Sequence, residues 1–120
     1  MQIEFYTKSN GKSPVEEYIK DLQKHEQARL LACLKSVEDM GFDSPRVQFR
    51  QIEGPLWEIK IRSENSHRIF YVSVKGNRIV LLHAYRKESQ KAPLKEIATA
   101  EKRMEEILNE ENQNFNRSNK

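Results

Sequence analysis

Leu56-Trp57-Glu58-Ile59-Lys60-Ile61-Arg62 alternates with a period of two: Trp57, Ile59 and Ile61 fall on one side, Glu58, Lys60 and Arg62 on the other. Only a β-strand sorts side chains this way, so one face of it is apolar and the other charged. The polar stretch 63–67 follows. Arg68 to Val74 then reads as a second strand, Lys75-Gly76-Asn77 as a tight turn, and Arg78 to Tyr85 as a third strand. Strands joined by such short turns make an antiparallel meander.

The flanking segments supply helices. Upstream, Ile3 and Phe5 alternate with Gln2, Glu4 and Tyr6 as a short strand, and Asn10-Gly11 marks a turn. Ser13-Pro14-Val15-Glu16 is a helix start, because Ser13 can accept from the amide at Glu16 and Pro14 suits the first helical position. That helix is expected to run to about Lys24. A second, over 26–40, keeps Leu30, Leu34 and Val37 at helical spacing and stops at Gly41. Segment 42–55 is irregular, with Val47 and Phe49 forming a brief strand or packing as a loop. Downstream, Ala92-Pro93 opens a helix with an apolar stripe of Leu94, Ile97, Ala98, Met104 and Leu108, and the asparagine-rich residues 109–120 read as a disordered polar tail. The order β-α-α-β-β-β-α predicts an α+β fold: a small, mostly antiparallel sheet with an N-terminal helical hairpin and a C-terminal helix, the helices on one face and the other face free to bind.

The 120 residues suffice for one domain with one modest core. The formal charge is only +3, but it is unevenly placed. Residues 1–45 hold 6 basic and 8 acidic side chains, residues 46–91 hold 10 and 4, and residues 92–120 hold 5 and 6. The excess of cations therefore belongs to the three-stranded segment, where a polyanion would bind. No apolar run approaches the roughly 20 residues that cross a bilayer, and the first residues lack a secretory pattern, so the expectation is a cytoplasmic protein with no membrane partner. The single cysteine, Cys33, sits in the helical apolar pattern and reads as an inert buried thiol.

Two cations two residues apart on a strand are separated by roughly 6.5–7 Å, close to the spacing of successive phosphates on a single-stranded nucleic acid. Lys60 and Arg62 meet that condition, and in a meander Arg68, Arg86 and Lys87 converge on them, with Tyr71 and Tyr85 as base-stacking surfaces. Charged sheet faces also serve solubility alone, and spacing by itself does not separate the two uses. No glycine-rich phosphate loop is present, nor a serine-histidine-aspartate motif. His25, His67 and His83 fall on a helix, a loop and a strand, so no metal site and no cofactor are implied.

The strand Leu56 to Arg62, the run His67-Arg68-Ile69-Phe70-Tyr71, and the run from Ile79 through Tyr85-Arg86-Lys87-Glu88-Ser89-Gln90-Lys91-Ala92-Pro93 together resemble the RelE/ParE toxin superfamily, and within it the HigB-like, phage-derived branch. The resemblance implies a single RelE-like toxin domain over residues 1–108. It implies the toxin of a type II toxin-antitoxin system, a ribosome-dependent mRNA endonuclease that stops translation and is neutralised by a cognate antitoxin, typically a helix-turn-helix protein. DNA would be contacted only through the complex with that antitoxin. Carried over by position, the catalytic residues are Lys60, Arg68 and Lys87, and Arg62, Tyr71, His83, Tyr85 and Arg86 bind RNA. Such a nuclease needs no metal, because the 2′-hydroxyl of RNA is the nucleophile. The same fold also hosts ParE-like gyrase inhibitors that are not enzymes, and a plain RNA-binding module would use the same patch.

Overall fold

The computed structural model describes residues 1–89 and 93–118, with side chains described through Asn114. In chain order the elements are β1 (Gln2–Phe5), α1 (Pro14–Lys20), α2 (Lys24–Met40), a 3₁₀ turn (Gly41–Asp43), β2 (Gln48–Glu53), β3 (Leu56–Arg62), β4 (Ser66–Val74), β5 (Arg78–Arg86) and α3 (Leu94–Ser118). The expected α+β fold is present, built on one five-stranded sheet in the order β1-β5-β4-β3-β2. Among the described strands only the β1/β5 pair is parallel.

Local chemistry accounts for most boundaries. Ser13 caps α1 by accepting from the Glu16 amide at 3.5 Å, with Pro14 in the first turn. Gly41 ends α2 at φ +62°, a conformation that penalises a Cβ. In the β4–β5 turn Gly76 and Asn77 both take positive φ, which the right-handed twist of the strands favours.

The structure departs from the sequence reading in three places. Segment 42–55 contains a full strand, β2, paired antiparallel to β3 and irregular near Gln51 and Glu53. Its signal is weak because it is an edge strand, mostly exposed and interrupted by polar residues. Second, the helices lie on both faces of the sheet. Val15, Ile19, Leu30, Leu34 and Val37 of α1 and α2 pack on Ile59, Ile61, Ile69, Ile79 and Leu81. On the opposite face Ile97, Ala100, Met104, Ile107 and Leu108 of α3 pack on Leu56, Phe70, Val72, Val80 and Leu82. The apolar stripe of α3 is thus set by Ile97, Ala100, Met104 and Ile107, while Leu94 is 75% exposed and Ala98 points to solvent. Third, α3 does not stop at Leu108: residues 109–118 continue the helix. Glu111 holds that extension on the sheet by an ion pair with Arg78 at 3.0 Å, and Arg78 also pairs with Glu4. The Ala92 start and the Gln90-Lys91-Ala92 part of the closing motif lie outside the described residues, as do residues 119 and 120.

Cys33 is fully buried, as its helical position predicts. Among the described residues, no helix is long and apolar enough to cross a membrane.

Candidate nucleic-acid interface

The cross-strand registers build the site row by row. One row runs Gln48, Lys60, Arg68, Tyr85 across β2, β3, β4 and β5. The adjacent row runs Arg50, Glu58, Phe70, His83. Residues directly opposite on neighbouring strands share a face, so both rows lie on the α3 side of the sheet. A fourth cation joins them at the strand ends, where the Lys87 amide donates to the Ser66 carbonyl and Ser66 stands opposite Arg62. α3 covers only the Phe70 end of this face. The Lys60 end is open.

A bulge explains how β5 contributes. Its register shifts between Phe70 and Tyr71, so that Tyr71 pairs with Leu81 and Phe70 with His83, leaving Leu82 as the extra residue. Val80 before the bulge, Leu82 in it and Tyr85 after it therefore pack on the same side.

At the open end Pro45, Arg46, Val47, Gln48, Lys60, Arg62 and Arg68 line a cleft of about 190 Å³. A second cleft of about 210 Å³ is lined by Tyr85, Arg86, Lys87, Ser89, Pro93 and Glu96. Lys60 is half-buried, and partial burial first, then the charges of Arg50, Arg68 and Lys87, hold its pKa below the ordinary lysine value, against an opposing effect from Glu58. Beneath this cluster Glu58 is 1% exposed. Its Oε1 lies 3.4 Å from Arg50 Nε and 3.6 Å from Arg68 Nε, and neither carboxylate oxygen has a hydrogen-bond partner among the described residues.

Lys60, Arg68, Lys87 and Arg62 are thus brought to one face. The remaining residues are placed otherwise. Tyr71 is 1% exposed on the hairpin face, against Phe42 and Phe49. It cannot stack a base, because the β4 alternation turns it away from Arg68. Tyr85 keeps its place beside Arg68 but is 9% exposed with its ring stacked on Phe70 at 5.4 Å, so it offers no open platform. Burial, reinforced by Glu58, pushes its hydroxyl up to about 12, which keeps it protonated and able to donate. His83 is committed to α3: its Nδ1 accepts from Arg103 at 3.1 Å and its Nε2 bonds to Glu96. Arg86 stands opposite His67, and its charge acts on Tyr18 and Glu26 of the hairpin. It is exposed and lines the second cleft, away from Lys60.

Sequence reasoning missed Arg50 and Glu58. Arg50 lies on β2, the segment that the sequence leaves open between a brief strand and a loop. Glu58 sits between two cations in the alternation, and only the cross-strand register shows that it faces arginines on both sides.

His67 belongs to β4 and not to a loop, and it joins a second polar cluster on the opposite face. Tyr18 Oη donates to His67 Nδ1 at 2.6 Å, His67 Nε2 donates to Glu26 at 3.1 Å, and Asn65 donates to the same oxygen at 2.9 Å. Asn65 and His67 together hold the buried Glu26 carboxyl below its ordinary pKa.

The sequence matches the family described as phage derived protein Gp49-like (DUF891) over residues 17–105. The chain belongs to this Gp49-like family. The match spans α1 to α3 and includes both rows of the basic face. The family is associated with the toxins of toxin-antitoxin systems. No curated protein matches the chain significantly.

Proposed function

We propose that this Gp49-like protein is the toxin of a type II toxin-antitoxin system and acts in the cytoplasm as a metal-independent, ribosome-dependent mRNA endonuclease. The observation that carries the reading is the placement of Lys60 opposite Arg68, with Arg50, Arg62 and Lys87 around them and an open cleft above. Membership of a toxin-associated family supports it independently.

The chemistry follows from the residues. The fraction of Lys60 that is neutral accepts the proton of a 2′-hydroxyl through Nζ, and the 2′-oxygen forms its bond to phosphorus. Arg68 presents a planar fork to the non-bridging oxygens, on which negative charge builds up in the phosphorane. The bond to the 5′-oxygen breaks, and Lys87 supplies the proton to that leaving group. The products are a 2′,3′-cyclic phosphate and a free 5′-hydroxyl. Arg62 holds a neighbouring phosphate. A helix-turn-helix antitoxin is the partner that silences the toxin, and contact with DNA occurs only through that complex.

Mapping transcript ends after induction in cells, with translation running or blocked, tests this reading. It predicts cuts at codon-defined positions that vanish when ribosomes are cleared from the message. DNA damage without transcript cuts identifies a gyrase inhibitor instead, and neither effect leaves a binding module.

A further inference from the structure

Among the described residues, Glu58 is the one buried carboxylate on the basic face, and its setting is unusual. Side chains of this kind are rarely fully buried unless they are paired and hydrogen-bonded. Glu58 is 1% exposed, yet neither oxygen accepts a hydrogen bond from the described residues. What it has instead is two guanidinium groups, one from each neighbouring strand, with Arg50 Nε at 3.4 Å and Arg68 Nε at 3.6 Å from the same oxygen. Arg68 is itself nearly buried, at 11% side-chain exposure, and its Nε has no hydrogen-bond partner among the described residues either. Both arginines therefore point their inner nitrogen at one anion. A guanidinium is rigid and planar, so fixing Nε also fixes the direction of the two terminal nitrogens.

We propose that Glu58 is a positioning residue that holds Arg50 and Arg68, on the strands flanking Lys60, as a preformed two-arginine clamp for the phosphodiester of the substrate. The proposal rests on the nuclease reading above and deepens it by assigning Arg50 to the phosphate site. Glu58 itself is too buried to touch RNA. It acts by setting the direction of the arginines and by supplying the anion that lets three cations share adjacent rows. Without it, Arg50, Lys60 and Arg68 repel one another and their side chains spread into solvent. A phosphate would then have to gather them, and the organisation that the fold now provides in advance is lost.

Glu58→Gln keeps the shape and removes the charge. Single-turnover cleavage of mRNA on stalled ribosomes, followed from pH 6 to pH 9, reads two quantities. The plateau rate is expected to fall about 100-fold, the size seen when one preorganised donor to a developing oxyanion is lost. The ascending limb that reports the Lys60 base is expected to move to lower pH, because the one nearby anion opposing the cations is gone. A packing role alone lowers the plateau and leaves the limb in place. Glu58→Asp retains the charge and is expected to keep the limb where wild type has it; it also serves if Glu58→Gln does not fold. In the wild-type protein, the Nε–H signals of Arg50 and Arg68 in ¹⁵N NMR are expected to show restricted rotation that Glu58→Asp or Glu58→Gln relaxes. Freely rotating guanidinium groups in wild type, or a limb and plateau unchanged in Glu58→Gln, overturn the proposal. Full activity in Lys60→Ala overturns the nuclease assignment instead, and the NMR readout still decides the clamp on its own.

Discussion

Lys60 stands directly opposite Arg68 across the β3–β4 ladder, two cations where a sheet normally places opposite charges or apolar partners. Like charges in that position work against folding, by roughly 0.2–1 kcal/mol per pair. The proposed nuclease chemistry gives such a pair a use. Lys60→Ala is therefore expected to leave stability unchanged or raise it by a few tenths of a kcal/mol, while cleavage falls about 10²–10⁴-fold, the usual contribution of a positioned base. Thermal melts and cleavage assays on one preparation check both halves. A variant that loses stability and activity together points to a structural lysine.

Arg68 has a second duty as a counter-ion of Glu58. Arg68→Ala leaves a buried carboxylate with Arg50 alone, and the expected loss is about 1–3 kcal/mol in denaturant unfolding. Arg68→Lys restores the charge without the planar fork. It is expected to recover most of that stability but little of the cleavage, and equal recovery of both contradicts a bidentate role.

How much of this was legible in the sequence follows from residue pattern. The alternation from Leu56 to Arg62 and the Gly76-Asn77 turn located three strands and the face carrying Lys60, Arg62 and Arg68, because a period of two leaves no choice of side. Ser13 and Pro14 placed the start of α1 for an equally local reason. Longer-range features were not readable. Which face α3 covers depends on the path of the chain after β5, and that decision buries Tyr85 and commits His83 to Glu96. Tyr71 was misplaced because it was judged by residue type and not by its alternation with Arg68. The strand β2 stayed open between a brief strand and a loop because an edge strand needs no apolar alternation, and Arg50 was overlooked with it.

The hairpin face predicts a specific response to acid. The Glu26 carboxyl titrates below its ordinary value in the folded protein, chiefly because Asn65 donates to it. The unfolded chain then binds its proton more tightly than the native one, so Glu26 contributes stability above about pH 4.5 that is lost as pH falls through the folded pKa. Melting temperature is expected to drop over that interval. In Glu26→Gln the protein is less stable at pH 7 and the drop is shallower; an identical slope in the two proteins rules Glu26 out as its source.

The C-terminal half of α3 is tied down by Glu111 on Arg78. Removing residues 109–120 is expected to cost up to about 1 kcal/mol, as partly exposed ion pairs do, and to reduce the far-ultraviolet helical signal. An unchanged helical signal indicates that residues 109–118 are not helical in solution.

Under the proposed function, the Lys60 and Arg68 face cuts RNA by directing attack of the RNA's own 2′-hydroxyl. The direct test is the chemistry of the ends left when the purified protein acts on mRNA in programmed ribosomes. The predicted result is 5′-hydroxyl and 2′,3′-cyclic phosphate ends within the ribosome-bound codon, produced by wild type and not by Lys60→Ala. Intact message, or 5′-phosphate ends left by an attacking water, contradicts it.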